Sequence, residues 1–129
     1  MNPLTLEWAQ KADGDHAAAK FLTQAPSPVN DAICFHAQQC VEKYLKAWLQ
    51  EANVAFRRTH DLEELLDLII PTVPTWAAWK ADFLILTAHA VDFRYPGKSS
   101  TASDAQHAIN VCEHVRTEIR VNLGLPIAP

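Results

Sequence analysis

The chain has 129 residues, of which 49% are apolar and 20% are charged, with a net charge of −4 and only three glycines. This length is enough for one domain with one core, so we expect a single domain over residues 1–129. The negative charge argues against a protein that coats nucleic acid non-specifically, because phosphate binding requires a surplus of cations on the contacting face. Few glycines together with many alanines and leucines favour helices over strands.

Three cysteines, Cys34, Cys40 and Cys112, lie among apolar neighbours inside predicted helices. This odd number indicates reduced, buried thiols in a cytoplasmic protein and argues against a disulfide framework. The N-terminal residues lack a basic start followed by an apolar run, and no apolar run approaches about 18 residues, so neither a signal peptide nor a membrane span is predicted. The histidine and cysteine spacings predict no metal site, and no cofactor is expected.

The first predicted helix runs from Thr5, a reasonable N-cap, to Thr23. Asp15 interrupts its apolar stripe, and a carboxylate that faces a core costs several kcal/mol unless it is paired. Either Asp15 lies at a solvated edge of the helix, or it points into a polar pocket and orients a cation. The prolines that follow end this helix.

The second predicted helix, from Asn30 to Glu51, organises the chain because it has two opposed faces, with Ser27 as its expected cap and Pro28 at the first helical position. One face carries apolar residues at helical spacing: Ile33, Ala37, Val41, Tyr44 and Trp48. The other face carries His36, Gln39, Lys43, Lys46 and Gln50. This polar face is either an ordinary solvated surface or a surface that presents cations and hydrogen-bond donors to an anion.

A short third helix is predicted after Thr59, its expected N-cap, and ends at Pro71. The fourth predicted helix covers Thr75 to Phe93 and carries a long apolar stripe that is typical of a core: Trp76, Trp79, Phe83, Leu86, Ala90 and Phe93. The turn residues Pro96 and Gly97 follow, so a loop presents Tyr95 and Lys98, with Arg94 at the preceding helix end.

The fifth predicted helix begins at Ser103, which could form a capping box with Gln106, and ends at Gly124. No stretch has the pattern of a strand. The sequence therefore predicts an all-α fold, an antiparallel up-and-down bundle of four long helices and one short helix.

Three clusters of basic or hydrogen-bonding residues could form one phosphate site if the bundle brings them together. They are Lys43 and Lys46 on the second helix, Arg57, Arg58 and His60 before the third, and Arg94, Tyr95 and Lys98 at the end of the fourth. Asp15, His36 and Gln39 are supporting candidates. Each cluster taken alone is also consistent with ordinary surface charge.

Three blocks of sequence resemble the HEPN family of small helical domains: CFHAQQCVEKYLKAWL in the second helix, RTHDLEELL opening the third, and DFRYPG closing the fourth. The resemblance implies a helical bundle, usually a homodimer, with a polar cleft at the dimer interface that binds nucleotides or RNA. It also implies a possible nucleotidyltransferase partner, because many relatives are encoded beside a minimal nucleotidyltransferase as toxin–antitoxin pairs.

Nuclease members of that family carry an Arg and a His separated by four to six residues. From Arg94 the His would fall at Ser99, Ser100 or Thr101, so the pair is incomplete. Because RNA cleavage by that route needs a His as acid or base beside an Arg, the leading hypothesis is binding without cleavage. There are two alternatives: an RNase toxin in which Arg94 acts with His60, and a purely structural dimerisation partner. No membrane and no sequence-specific DNA partner is expected.

Overall fold

A computed structural model describes residues 1–27 and 29–127 of the chain. Five α-helices, one 3-10 helix and no strand occur in these two ranges, which confirms the all-α prediction. The α-helices are α1 (Pro3–Leu22), α2 (Asn30–Glu51), α3 (Leu62–Ile69), α4 (Lys80–Asp92) and α5 (Ala102–Leu123), and the 3-10 helix is Pro74–Trp79. None of the helices in the described ranges is long and apolar enough to cross a membrane.

α2 is the central helix of the bundle, because α1, α3, α4 and α5 all pack against it. Successive long helices run in opposite directions, as predicted. In one example, Asp15 of α1 contacts Lys43 of α2, whereas Asn2, just before α1, bonds Glu51 at the far end of α2. The central position explains why no residue of α2 is exposed: all 22 are buried or half-buried. The polar face of α2 is therefore not an ordinary solvated surface.

The predicted aromatic stripe lies in the core. Trp76 and Trp79 stack with their ring centroids 4.7 Å apart, and Phe83 and Leu86 are fully buried. The stripe begins in the 3-10 helix, not in α4, so the predicted start of the fourth helix at Thr75 is five residues too early. The three cysteines are buried and unpaired in the described chain, as predicted.

The N-caps differ from the predictions at α1 and α3. α1 begins at Pro3 and is capped by Asn2, while Thr5 is buried and donates its hydroxyl hydrogen to Glu51. At α3, Asp61 accepts hydrogen bonds from the first-turn amides, whereas Thr59 accepts one only from the Asp61 amide. A carboxylate is the stronger acceptor and suits the positive end of a helix, so it takes the cap from the neighbouring hydroxyl.

The N-termini of α2 and α5 also differ from the predictions, whereas the C-terminal cap of α5 does not. α2 starts at Asn30 without a side-chain cap, so Ser27 does not cap it, and the Pro28 prediction lies outside the described residues. α5 is capped by Thr101, which forms the capping box with Asp104 in place of the predicted Ser103 and Gln106. Gly124 ends α5 in the left-handed conformation, as predicted.

An ionic cluster ties α1, α2 and α5 together on one side of the bundle. Asp13 accepts hydrogen bonds from the Tyr44 hydroxyl, from Arg116 Nε at 3.0 Å and from Arg120 Nη1 at 3.1 Å. Burial raises the pKa of Tyr44 above its ordinary value, so its phenol stays protonated and donates to Asp13. Arg116 also donates to the carbonyl of Ile127, which fastens the C-terminal segment to α5.

Candidate functional site

The side of α2 opposite its apolar stripe is lined by polar side chains that other elements hold in place. We define the α2 polar face as Phe35 together with six polar residues: His36, Gln38, Gln39, Glu42, Lys43 and Lys46. They form two neighbouring rows along the helix, each with spacings of three and four. α1 contributes partners along one edge of this face, and the segment before α3 and the end of α4 contribute partners along the other.

On the α1 edge, Asp15 joins two side chains of the α2 polar face. Its Oδ2 accepts from Lys43 Nζ at 2.6 Å, and its Oδ1 accepts from His36 Nδ1 at 2.9 Å. The Asp15 side chain is only 12% exposed. Asp15 therefore does not lie at a solvated edge: it is a half-buried acceptor that orients an ammonium and an imidazole.

On the opposite edge, Glu42 is the centre of a buried polar cluster. Its carboxylate accepts from Lys46 Nζ at 3.0 Å and from His60 Nδ1 at 2.8 Å. Glu42 and Lys46 are 3% and 8% exposed, whereas the His60 ring is 74% exposed. Gln38, which is fully buried, donates to the His60 carbonyl at 3.0 Å. Buried Glu42 thus holds the ring of an exposed histidine, and buried Gln38 holds the backbone of the same residue.

The predicted cations divide into those with a carboxylate partner and those without one. Lys43, Lys46 and Lys98 are paired with Asp15, Glu42 and Asp92, the last at 3.8 Å. Within residues 1–27 and 29–127, no carboxylate pairs with Arg58 or Arg94, and both are exposed. An anion would gain most from the two unpaired guanidiniums, because a paired charge must first give up its partner.

Arg94 stands beside a cleft between α2 and the C-terminal end of α4. Its guanidinium carbon lies 5.7 Å from the centroid of the Phe35 ring, a cation–π contact. The cleft has a volume of about 390 Å³, which is within the range of ligand pockets. We define the Arg94 cleft by its lining residues: Asp31, Ala32, Phe35, His89, Ala90, Phe93 and Arg94.

Two aromatic rings at the C-terminal end of α4, those of His89 and of the C-cap residue Phe93, line the Arg94 cleft. The His89 and Phe93 rings are 4.7 Å apart at an angle of 39°. His89 Nδ1 is buried without a hydrogen-bond partner, and its Nε2 lies 3.9 Å from Asp104. An unpaired buried nitrogen is costly, so His89 keeps one ring nitrogen that no side chain in the described ranges satisfies.

The positions at which the nuclease histidine would fall have structural roles in this chain. Asp31 accepts from both the backbone amide of Ser100, at 2.8 Å, and its hydroxyl. These two bonds hold the pKa of the Asp31 carboxyl below its ordinary value. Thr101 is the N-cap of α5. The segment that follows the Tyr95 loop therefore anchors α5 to the start of α2.

The structure does not bring all the predicted site residues together around one cavity. Arg94 contacts Phe35, whereas His60 contacts Glu42, which is seven residues, or about 10 Å, further along α2. Tyr95 is exposed on the loop beside Arg94, and Gln39 donates to Gln38 between the two groups. The predicted site is thus an Arg94 cleft and a separate Glu42–His60 cluster on one helix face.

Sequence reasoning missed Phe35 and the position of His89 in the cleft. Asp82, one turn before Leu86 on the same helix, takes no part in the cleft, because its carboxylate contacts His107 of α5 at 2.9 Å. The one available signal was spacing: His89 lies five residues before Arg94, just over one helical turn away. Among the described residues, no group of three or more His, Cys, Asp or Glu side chains could hold a metal ion.

The fold and the cleft define a small helical-bundle protein with a polar and aromatic cleft beside its central helix. The family model described as "HEPN domain" matches residues 5–122, which is nearly the whole chain. The chain belongs to the HEPN family, and a nucleotide- or RNA-related function follows from that membership. No curated protein and no solved structure matches the chain.

Proposed function

We propose that this HEPN-domain protein binds the phosphate of a nucleotide or of RNA in the Arg94 cleft and does not cleave it. The observation that carries the proposal is an unpaired, exposed guanidinium held against an aromatic ring at the edge of a cleft of ligand size. Arg94 can donate two parallel hydrogen bonds to a phosphate, which makes it a specific anion ligand.

The aromatic lining of the cleft suits the rest of a nucleotide. Phe35 and Phe93 provide flat apolar surfaces against which a base can stack, and the exposed Tyr95 ring follows Arg94 in the chain. Base–aromatic stacking contributes about 1–3 kcal/mol per base and does not require a particular sequence. Lys43 and Lys46 have a smaller part in this proposal than the sequence indicated, because Asp15 and Glu42 already neutralise them.

Isothermal titration calorimetry with ATP, GTP and a short RNA at low salt tests the proposal. Charge-assisted hydrogen bonds contribute about 1.5–3 kcal/mol, so Arg94→Ala should weaken binding by about tenfold or more. Arg57→Ala is the matched control, because Arg57 is an exposed arginine that Glu64 already pairs. Absence of binding for all three ligands, or an equal effect of the two substitutions, would refute the proposal.

A second candidate function is metal-independent RNA cleavage with a histidine in an unusual position. The observation that favours it is that His89 lines the same cleft as Arg94, whereas His60 does not line it. An imidazole and a guanidinium in one cleft are the acid–base and phosphate-holding groups that such cleavage requires.

Incubation of RNA with the purified protein in EDTA separates these two candidates. Intact RNA after prolonged incubation supports binding without cleavage. Cleavage that is lost in His89→Ala and in Arg94→Ala, but kept in His60→Ala, supports the nuclease. Cleavage lost only in His60→Ala would instead favour the Glu42–His60 cluster, where a buried carboxylate orients an exposed imidazole.

Pairing with a nucleotidyltransferase as a toxin–antitoxin system is a further part of the proposal, and family membership is what supports it. Expression of this chain alone should then slow growth, and co-expression of a neighbouring nucleotidyltransferase should restore it. Co-purification of the two proteins without any growth effect would favour the structural role, in which this chain is only a dimerisation partner.

A further inference from the structure

The Arg94 cleft is lined by one carboxylate and one guanidinium that do not pair with each other. Asp31 and Arg94 both line it, yet no ion pair joins them in the described part of the chain. Arg94 stands over the Phe35 ring, and Asp31 lies one helical turn before Phe35 on the same face of α2. Both charges are therefore available to a ligand that carries an anionic group together with hydrogen-bond donors.

Asp31 uses one carboxylate oxygen within the protein and keeps the other free. Its Oδ1 accepts from the Ser100 amide at 2.8 Å and from the Ser100 hydroxyl. No donor within residues 1–27 and 29–127 reaches its Oδ2, and this oxygen is not buried. Because the Ser100 bonds lower the pKa of Asp31, the group is ionised at neutral pH and can only accept hydrogen bonds. The part of a ligand that meets Asp31 must therefore be a donor, which excludes its phosphate.

The nucleic-acid bases differ in what they present to a carboxylate. Guanine carries two adjacent donors on its Watson–Crick edge, the ring N1–H and the exocyclic N2 amino group, so both can point at one carboxylate. Adenine and cytosine each place an acceptor nitrogen beside their single amino group, and uracil places its one N–H between two carbonyl oxygens. An acceptor held against a carboxylate leaves both groups without a partner, which costs binding free energy. A free, ionised carboxylate in a nucleotide cleft thus favours guanine.

We propose that Asp31 makes the Arg94 cleft selective for guanine, with the Watson–Crick edge of the base on the Asp31 carboxylate and the phosphate on Arg94. The inference rests on the proposed function, because it assigns the base of the nucleotide whose phosphate Arg94 binds. Phe35 and Phe93 line the same cleft and can stack on any base, so they supply affinity, whereas Asp31 supplies discrimination. Since Phe35 lies one turn from Asp31, a base stacked there brings its edge, not its ribose, towards the carboxylate.

Isothermal titration calorimetry of the full chain with guanosine, inosine and adenosine monophosphate at low salt tests the selectivity. The three ligands share ribose and phosphate, and inosine keeps the N1–H of guanine but lacks its amino group. Guanosine monophosphate should bind about tenfold or more tightly than adenosine monophosphate, with inosine monophosphate between them, as expected for a bidentate contact to a base. Equal affinities overturn the inference but leave the proposed function intact, whereas no binding of any of the three refutes both.

Asp31→Asn tests the residue itself. The new amide keeps an oxygen for Ser100 but turns a donor towards the donors of guanine, so the affinity for guanosine monophosphate should fall about tenfold or more, without a fall for adenosine monophosphate. Asp82→Asn is the matched control, because Asp82 contacts His107 and does not line the cleft. It should change neither affinity.

Two results with Asp31→Asn overturn the inference. Unchanged affinity for guanosine monophosphate shows that the carboxylate does not meet the base. An equal loss for both nucleotides shows that Asp31 contacts the ribose, which both share, or only supports the fold. If Asp31→Asn proves unstable in urea denaturation, the comparison of the three nucleotides on the wild type decides the question.

Discussion

The Glu42–Lys46 pair provides the sharpest test of whether the charges on the α2 polar face are buried and paired. Glu42→Gln removes the charge but keeps the shape, so it leaves the Lys46 ammonium buried beside a neutral amide. Breaking a buried ion pair by removing one partner costs about 3–5 kcal/mol, because the remaining charge is uncompensated. That is a large share of the roughly 5–15 kcal/mol by which a domain is stable.

Urea denaturation followed by circular dichroism measures this loss. With a slope of about 1–3 kcal/mol per molar, a loss of about 3 kcal/mol lowers the urea midpoint by about 1–3 M. The matched control is Asp67→Asn, which breaks a pair with Lys80 that is about half exposed on both sides and should cost at most about 1 kcal/mol.

Removing both charges separates the free-energy cost of burying a charge from the attraction between Glu42 and Lys46. Glu42→Leu combined with Lys46→Met should recover most of the stability, because the cost of a broken pair is mainly the cost of the charge left behind. A Glu42→Gln loss below about 1 kcal/mol, equal to that of Asp67→Asn, would refute the reasoning. It would mean that water reaches Lys46 in spite of its 8% exposure.

Three further predictions concern the acid limit of stability, the thiols and the end of α5. The Ser100 hydrogen bonds lower the pKa of Asp31 in the folded chain, so their contribution is present above the ordinary carboxyl range and is lost as the pH falls. Ser100→Ala should therefore shift acid unfolding to higher pH by circular dichroism; an unchanged midpoint contradicts this. Burial raises the pKa of Cys34 to about 11, so iodoacetamide at neutral pH should label it only after unfolding, as read by mass spectrometry; rapid native labelling contradicts this. Gly124 has a φ of +74°, so Gly124→Ala should cost about 1 kcal/mol in urea denaturation, and a neutral effect would show that the left-handed turn is not needed.

Local patterns in the sequence were enough to predict the helices and the core. The spacing of Ile33, Ala37 and Val41 identified the buried side of α2, and the aromatic stripe identified the inner side of α4. The errors lie at helix starts, where several polar residues compete within three positions. Asp61 caps α3 in place of Thr59, and this outcome depends on which side chain reaches the free amides.

The site was less predictable because its contacts join residues that are far apart in the sequence. Lys43 is neutralised by Asp15, 28 residues earlier, and Arg94 meets Phe35 across the bundle. The spacing of residues within a single helix cannot predict either of these contacts. The Glu42–Lys46 pair is different, because two opposite charges four residues apart on a helix are neighbours, and that spacing was visible in the sequence.

The outward face of α4 shows where the spacing of apolar residues no longer predicts which side of a helix is buried. A stripe at helical spacing identifies the inner side of a helix, but it says little about the other side when that side is also apolar. Leu84 and Ile85 lie between the stripe residues Phe83 and Leu86, and only the structure shows that the first two are exposed.

The most direct test of ligand binding in the Arg94 cleft is an amide-resolved NMR titration with ATP. We predict saturable shifts that are largest at residues 31–35 and 89–94, on the two walls of the cleft. Shifts confined to the Glu42–His60 cluster or to α1 would contradict ligand binding in the Arg94 cleft. The absence of any shift, both with millimolar ATP and with a short RNA, would also contradict it.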